Sequence, residues 1–270
     1  MNRDRGFTRV ELVVVISITV LLLSVLTPTL SRGRATARDV VCQSNLKQWI
    51  YSLSLYADDN EGSFPPGWNM NKGMWMPRLR PYYQDDSIRL CPMARKLQSD
   101  GRYPPGTFVG WGIYGDPGYY NGWTPPWGDE GDYGSYGMNG WVCNPPDVGD
   151  IYEIPTQDRP RYWRNVDAAA EYENPSIIPV FCDSMWDGTV ARHTDKPPPE
   201  PGAKLGLDGM WNFCIPRHGN GDSINISFLD GSVRQTSLKC LWKLKWHREF
   251  RTDVQLQWPG WMDHIKEECE

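Results

Sequence analysis

The sequence lacks the short motifs that mark many enzymes and metal sites. No two of its seven cysteines are close enough for a C-x-x-C motif, and its four histidines do not show the H-E-x-x-H spacing. It also has no G-x-S-x-G, no P-loop and no G-x-G-x-x-G followed by a helical pattern. We therefore expect this chain to have no enzymatic activity.

Positive charge is also scarce. The 270 residues include 28 Lys and Arg against 33 Asp and Glu, which gives a formal net charge of −5. Phosphate binding needs clustered basic side chains, so we expect no nucleic-acid partner. A hydrophobic content of 40% and an aromatic content of 13% exclude a disordered chain.

Only one long apolar run is present, and it covers residues 10–30. Roughly 20 helical residues span a bilayer core, so this run predicts one membrane helix. Arg3 and Arg5 precede it and predict a cytoplasmic N-terminus. The residues at its C-terminal end, 28–32, show no small-x-small cleavage pattern of a secretory signal peptide.

The residues around the start of this run form a recognisable motif. Residues 5–12, RGFTRVEL, resemble the leader of type IV prepilins and type II secretion pseudopilins. The resemblance implies that a prepilin peptidase cuts after Gly6 and methylates Phe7. It also implies that Glu11, the fifth residue of the mature chain, pairs with the amine of a neighbouring subunit. Arg9 departs from the pattern, because the family usually has a hydrophobic residue there.

A second resemblance lies further along the chain. His218 followed by the pair Asp230-Gly231 is similar to the prepilin-type processing-associated proteins named for an H-X9-DG motif, although eleven residues, not nine, separate this pair from His218. Other family-like pieces are CQSNLKQ at 42–48 and SYGMN at 135–139. Together the two resemblances imply an α+β, pilin-like fold, with a long N-terminal helix packed on a small antiparallel sheet with long loops.

The patterns divide the chain into four parts. Residues 1–6 are the expected leader, 7–30 the transmembrane or filament-core helix, 31–62 its amphipathic continuation and 63–270 a globular head. Apolar residues recur at helical spacing up to about Asp59, and Gly62 is a plausible cap. Residues 223–238 alternate around Asp230-Gly231 and predict a β-hairpin.

Two kinds of site are open in the head. Cys42 and Cys91 are a candidate disulfide, with two separate buried thiols as the alternative. Hard oxygen ligands suit calcium, so four aspartates are candidate ligands, with turn and cap roles as the alternative. The four are Asp183, Asp187, Asp222 and Asp230. No other cofactor is expected.

His218 has three possible roles. It could hydrogen-bond backbone in the loop 219–221, accompany a calcium site, or form a proton-transfer pair with an aspartate. The first role needs no further groups, so it is the interpretation we favour. The third needs a nucleophile or a metal, which the sequence does not reveal.

The predicted function is structural: a pilin or pseudopilin subunit of a type IV pilus-like or type II secretion filament. The expected partners are the prepilin peptidase and methylase, other pilin-like subunits and the inner membrane. The N-terminus would be cytoplasmic, and the head would lie outside the cytoplasm in a cell-surface or periplasmic filament. The alternative is an anchored glycan-binding module, if Trp111, Trp123 and Trp127 are exposed on one face instead of filling the core.

Overall fold

The structure is a computed structural model of the chain. It describes residues 8–67, 75–94, 96–97, 106–111, 133–145, 156–167, 171–202 and 209–269. The chain divides into two compact units, Met1–Val40 and Val41–Glu270. One long helix, α1 (Arg9–Asp59), contributes residues to both units.

The first unit is the N-terminal part of α1. Every residue from Thr8 to Arg38 is exposed, including a long series of large apolar side chains. Among the described residues, α1 is the one helix that is long and apolar enough to cross a membrane. The protein is therefore membrane-anchored or carries a signal sequence.

The helix begins with a side-chain cap. The Thr8 hydroxyl accepts from the Glu11 backbone N–H at 3.2 Å, while the Glu11 carboxylate accepts from the Thr8 backbone N–H at 2.8 Å. This reciprocal pair is a capping box, which satisfies two of the free donors at a helix start. Glu11 thus has partners within its own chain.

The remainder of α1 belongs to the second unit and has one buried face. Trp49 is fully buried, donates its indole N–H to the Ile88 carbonyl at 3.0 Å and packs 6.1 Å from Phe181. The helix ends as predicted near Asp59. Glu61 rather than Gly62 is the first residue with a positive φ, 54°, and the Gly62 N–H then bonds back to Ala57 at 2.8 Å.

Most of the second unit surrounds a five-stranded sheet with the strand order β5-β3-β4-β6-β7. Its strands are antiparallel neighbours except β3 and β5, which run parallel. A separate parallel pair joins β1 and β2. The strands are β1 (Lys96–Leu97), β2 (Val109–Gly110), β3 (Tyr136–Asn139), β4 (Pro179–Asp183), β5 (Gly188–Thr189), β6 (Ser223–Phe228) and β7 (Val233–Ser237).

The predicted hairpin is present as β6 and β7. Its turn is longer than two residues, because the Phe228 N–H bonds to the Ser232 carbonyl at 2.9 Å and encloses Asp230 and Gly231. Gly231 has φ +80°, a conformation that glycine adopts at little cost. The hairpin thus confirms both the strand pattern and the glycine of the predicted turn.

Apart from α1, regular structure outside the five-stranded sheet is short. Helix α2 (Trp75–Leu79) has five residues. Most other helical pieces among the described residues are 3-10 turns. They are Arg80–Tyr82, Asp86–Arg89, Thr156–Arg161, Pro175–Ile177, Gly209–Asn212, Leu238–Lys243 and Gly260–Met262. The α+β class with long loops is therefore confirmed.

Aromatic side chains fill the core between these loops. Seven tryptophans are at most 5% exposed, and their indoles stack on one another and on other rings, as Phe213 does on Trp246 at 4.8 Å. They are Trp49, Trp75, Trp111, Trp141, Trp163, Trp242 and Trp246. Each large ring buries much apolar surface, so these side chains supply a hydrophobic core to a head that has little regular secondary structure.

Candidate functional site

A cluster of four metal-ligating side chains is buried in the second unit. Their ligand atoms all lie within 4.8 Å of one another, and each residue is at most 2% exposed. We call this group the buried tetrad. It consists of Cys42, Cys91, Asp183 and His218.

Each member comes from a different part of the fold. Cys42 lies on the buried face of α1, and Asp183 is the last residue of β4. Cys91 follows the 3-10 turn Asp86–Arg89 and is held by its backbone N–H, which donates to the Ser135 hydroxyl at 2.6 Å. His218 lies in the loop that precedes β6 and forms an antiparallel bridge with Ser223, the first residue of that strand.

A tight loop sets the position of His218. Gly219 and Gly221 have φ values of +62° and +85°, so the chain reverses sharply between His218 and β6. A Cβ at position 219 would lie 2.1 Å from the Asp222 carboxylate. The glycines of this loop are therefore needed to place the imidazole beside Asp183 and Cys91.

The side chains of the tetrad are in direct contact. His218 Nε2 lies 3.0 Å from Asp183 Oδ2 and 3.2 Å from Cys91 Sγ. Cys42 Sγ lies 3.6 Å from both oxygens of Asp183. One carboxylate thus contacts a thiol and an imidazole, and the imidazole also contacts the second thiol.

Three further groups surround the Asp183 carboxylate and the Cys42 thiol. Arg217, itself fully buried, lies 3.2 Å from Asp183 Oδ1 and also donates to the carbonyls of Ser135 and Ser184. The Asn225 backbone N–H donates to Asp183 Oδ2 at 2.9 Å. The Tyr136 hydroxyl donates to Cys42 Sγ at 3.4 Å.

These contacts shift the pKa values of the group. Burial alone would raise the pKa of the Asp183 carboxyl, but His218 and Arg217 hold it well below its usual range. Burial alone would lower the pKa of His218, yet the Asp183 carboxylate raises it to about 11. Burial raises the pKa of Cys42, the helix thiol.

Cys91 behaves differently from Cys42. Burial alone would raise the pKa of the Cys91 thiol, but a hydrogen bond from Cys42 and the proximity of His218 and Arg217 lower it to about 7. A thiol of lowered pKa beside a histidine resembles a nucleophile and its base. The tetrad is buried, however, so a substrate could not reach Cys91 without an opening of the core.

The tetrad changes several expectations about individual residues. Cys42 and Cys91 lie together in the tetrad as two free buried thiols, whereas the sequence analysis favoured a disulfide between them. The disulfide that the structure forms joins Cys240 and Cys269, 29 residues apart. The imidazole of His218 contacts a carboxylate and a thiol, so its role is not confined to the loop 219–221.

The four candidate calcium ligands are not gathered together. Only Asp183 belongs to a group of three or more possible ligands among the described residues. Asp187 is buried beside β5, and Asp222 accepts from the Ser223 hydroxyl at 2.8 Å. Asp230 caps the hairpin turn by accepting from the Ser232 backbone N–H at 2.9 Å. Asp230 therefore has the cap role that was the alternative.

The other predicted site residues lie near the N-terminus or in the aromatic segment. Gly6 and Phe7 lie outside the described residues, as do Trp123 and Trp127. Trp111 is 1% exposed and donates its indole N–H to the Tyr136 carbonyl at 3.0 Å. It fills the core and is not a surface for stacking sugars.

Sequence reasoning singled out all four residues of the tetrad but not the group. The two cysteines were assigned to a disulfide, the aspartate to calcium and the histidine to the hairpin. Cys42 and Asp183 are 141 residues apart, and Cys91 and His218 are 127 apart. Separations of this size exceed any short motif, so no contiguous pattern joins the four residues.

Compared with known protein families, with curated proteins and with solved structures, the chain matches none of them.

Proposed function

We propose that this protein is a structural subunit of a pilin-like filament, of the type IV pilus or type II secretion kind. A prepilin peptidase would cut after Gly6 and methylate Phe7. Before assembly the apolar helix would lie in the inner membrane, with the head outside the cytoplasm. The proposal includes no enzymatic activity.

The observation that carries the proposal is the exposed apolar part of α1. Leu12 to Leu30 contains large side chains that are about half exposed or more in the single chain. A surface of this kind is stable only when lipid or another apolar surface covers it. The helices of a filament core would supply such a surface once the chain leaves the membrane.

The continuity of α1 supports a leader cut near Gly6 over a cut after the apolar run. The helix passes through Pro28 without a break and continues to Asp59. Residues 41–59 of the same helix pack in the head. A cut near residue 31 would fall within a helical segment, whereas residue 6 precedes the first helical turn.

Glu11 is the residue that the proposal makes specific. A carboxylate within an apolar span costs roughly 2–3 kcal/mol. The capping box with Thr8, which contributes about 0.5–2 kcal/mol, offsets part of that cost in the single chain. In a filament, the free amine of Phe7 from a neighbouring subunit would be an additional partner. Such a pair would fix the register between subunits.

The first experiment identifies the mature N-terminus. The full chain is produced together with a prepilin peptidase, extracted from membranes and analysed by intact mass. We expect a chain that begins at N-methylated Phe7, and the uncut chain when the peptidase is omitted. A mature chain beginning near residue 31 would contradict the proposal.

The second experiment tests assembly. Glu11→Ala should be cut normally but should be lost from the sheared filament fraction. Asp58→Ala is the matched control, because Asp58 is an exposed acidic residue at the other end of the same helix. Normal assembly of the Glu11 variant would remove the proposed pairing.

A further inference from the structure

We propose that Cys42, Cys91, Asp183 and His218 bind one zinc ion as a structural site inside the head. This inference is independent of the proposed filament role, because it concerns only the second unit. It assigns one function to four side chains that the fold collects from distant parts of the sequence.

The distances fit a tetrahedral zinc ion. Bonds of about 2.0–2.3 Å to nitrogen, oxygen and sulfur place tetrahedral ligands about 3.3–3.8 Å apart. The tetrad has contacts of 3.0, 3.2 and 3.6 Å, with all four ligand atoms inside 4.8 Å. The widest separation allowed by that limit exceeds the tetrahedral range by about 1 Å, so side-chain movements of up to that size would complete the coordination.

The residue types select zinc over the other common cations. Two thiolates favour thiophilic metals, whereas calcium and magnesium take oxygen ligands. An imidazole and a carboxylate complete a four-ligand set that zinc accepts. Four protein ligands and complete burial leave no open position for substrate, as in structural sites.

The surroundings of the tetrad match the second layer of a metal site. Ligating carboxylates are usually hydrogen-bonded in turn, and Asp183 receives Arg217 on one oxygen and the Asn225 N–H on the other. Thiolate sulfur accepts hydrogen bonds, and the Tyr136 hydroxyl points at Cys42. Hydrogen-bond donors from the surrounding protein thus orient Cys42 on α1 and Asp183 on β4.

The charges also balance. Zinc and Arg217 together carry three positive charges, and two thiolates with Asp183 carry three negative ones. Binding requires release of the thiol protons and also of the proton that His218 carries in the metal-free chain, because the Asp183 carboxylate raises the pKa of that imidazole to about 11. Buried charge is tolerated when it is paired in this way.

A zinc ion here would connect separate parts of the head. Cys42 holds α1, Asp183 holds β4, and His218 holds the loop that leads into β6. Cys91 ties in the irregular segment after the turn Asp86–Arg89. In a domain of short strands and long loops, binding to the folded state alone adds stability through linkage.

The first test measures metal content. The full chain is purified in detergent without a polyhistidine tag, supplied with one equivalent of zinc under reducing conditions and dialysed. We expect about one zinc per chain. Cys91→Ser and His218→Gln should each reduce the retained zinc at least about tenfold.

Cys143→Ser is the matched control for these variants. Cys143 is a buried free thiol outside the tetrad, and a serine hydroxyl can keep its hydrogen bond to the Gly140 carbonyl, 3.0 Å away. We expect this variant to retain zinc as the unchanged chain does. Full zinc retention by Cys91→Ser would overturn the proposal.

A cobalt experiment tests the site without any substitution. Cobalt added to the reduced, metal-free chain should give the visible absorption of a tetrahedral ion and a thiolate-to-cobalt charge-transfer band. One equivalent of zinc should abolish both. Absence of these bands, together with absence of bound zinc, would show that the tetrad is only a hydrogen-bonded group.

Peptide mapping under non-reducing conditions shows whether Cys42 and Cys91 are bound to zinc or joined in a disulfide. If zinc is bound, Cys42 and Cys91 should react with alkylating reagents only after a chelator is added. The peptide containing Cys240 and Cys269 should remain disulfide-linked throughout and serves as the internal standard. A Cys42–Cys91 disulfide in chain prepared from cells without added oxidant would overturn the zinc site.

Discussion

The two parts of helix α1 have the same backbone conformation and opposite surroundings. Residues 9–38 are exposed along their whole length, whereas the part from Val41 to Asp59 buries a continuous face of Cys42, Leu46, Trp49, Leu53 and Ala57. Helical propensity is adequate in both parts, so it does not distinguish them. The difference is what covers the apolar side chains. The head covers its own, and the N-terminal part depends on lipid or on other chains.

The largest expected effect comes from one substitution made in both parts. Leu46 is fully buried, so Leu46→Ala should lower the free energy of unfolding of the head by about 2–5 kcal/mol. Leu22 is 54% exposed, and Leu22→Ala should change it by less than about 0.5 kcal/mol. Urea unfolding of the full chain in detergent, followed by tryptophan fluorescence, measures both.

The comparison would fail if the two leucines behaved alike. A large loss from Leu22→Ala would mean that the N-terminal part contributes to the stability of the head. A small loss from Leu46→Ala would mean that the second part of α1 is not needed for the core. Either result would remove the distinction between the two parts of the helix.

The two regions also differ in how much the sequence could predict. The N-terminal signal is local: a leader motif and an apolar run are contiguous residues, so they can be read without knowing the fold. The long helix, its end near Asp59 and the β6–β7 hairpin depend on short-range periodicity and turn chemistry, and they were predicted. The turn at Asp230-Gly231 is one residue pair with a strong conformational preference.

The interior of the head could not be predicted in the same way. The order β5-β3-β4-β6-β7 depends on pairings between distant strands, some of only two residues. Leu238 and Leu241 stand at helical spacing, yet the structure has a 3-10 turn, Leu238–Lys243, followed by irregular chain with a turn in which the Phe250 N–H bonds to the His247 carbonyl. Tertiary packing of Trp242 and Trp246 outweighs local propensity there. The tetrad depends on the same non-local pairings.

An intermediate effect is expected from pH, and it should be confined to the head. His247 is buried against Trp141 and Phe250, and its Nδ1 accepts from the Glu249 N–H at 3.2 Å. Burial, with nearby Arg161, lowers its pKa to about 3. In the unfolded chain its pKa is about 6.5, so there it binds a proton first as pH falls.

The sign of the effect follows from this order. Stability from the neutral imidazole is complete above pH 6.5 and is lost as pH falls towards 3, by up to about 1.4 kcal/mol per pH unit. His247→Gln keeps a hydrogen-bond acceptor and should flatten this part of the profile. His264→Gln, at an exposed histidine, is the control and should not. Urea unfolding between pH 7.5 and 4.5 measures the slopes, and equal slopes for all three chains would contradict the assignment.

The smallest expected effect compares one side-chain cap in each region. In the head, the Asp230 carboxylate accepts from the Ser232 N–H and hydroxyl at 2.9 and 2.6 Å. Because the hairpin belongs to the core sheet, Asp230→Ala should lower the free energy of unfolding of the head by about 0.5–1.5 kcal/mol.

Thr8→Ala removes a comparable cap from the start of α1, with a local cost of about 0.5–2 kcal/mol. That cost should appear as faster amide hydrogen exchange at Glu11 and Leu12, with no change in urea unfolding of the head, because the first helical turn opens without disturbing the buried face beyond Val41. If Thr8→Ala instead shifted the unfolding of the head as much as Asp230→Ala does, the two parts of the helix would be one cooperative unit.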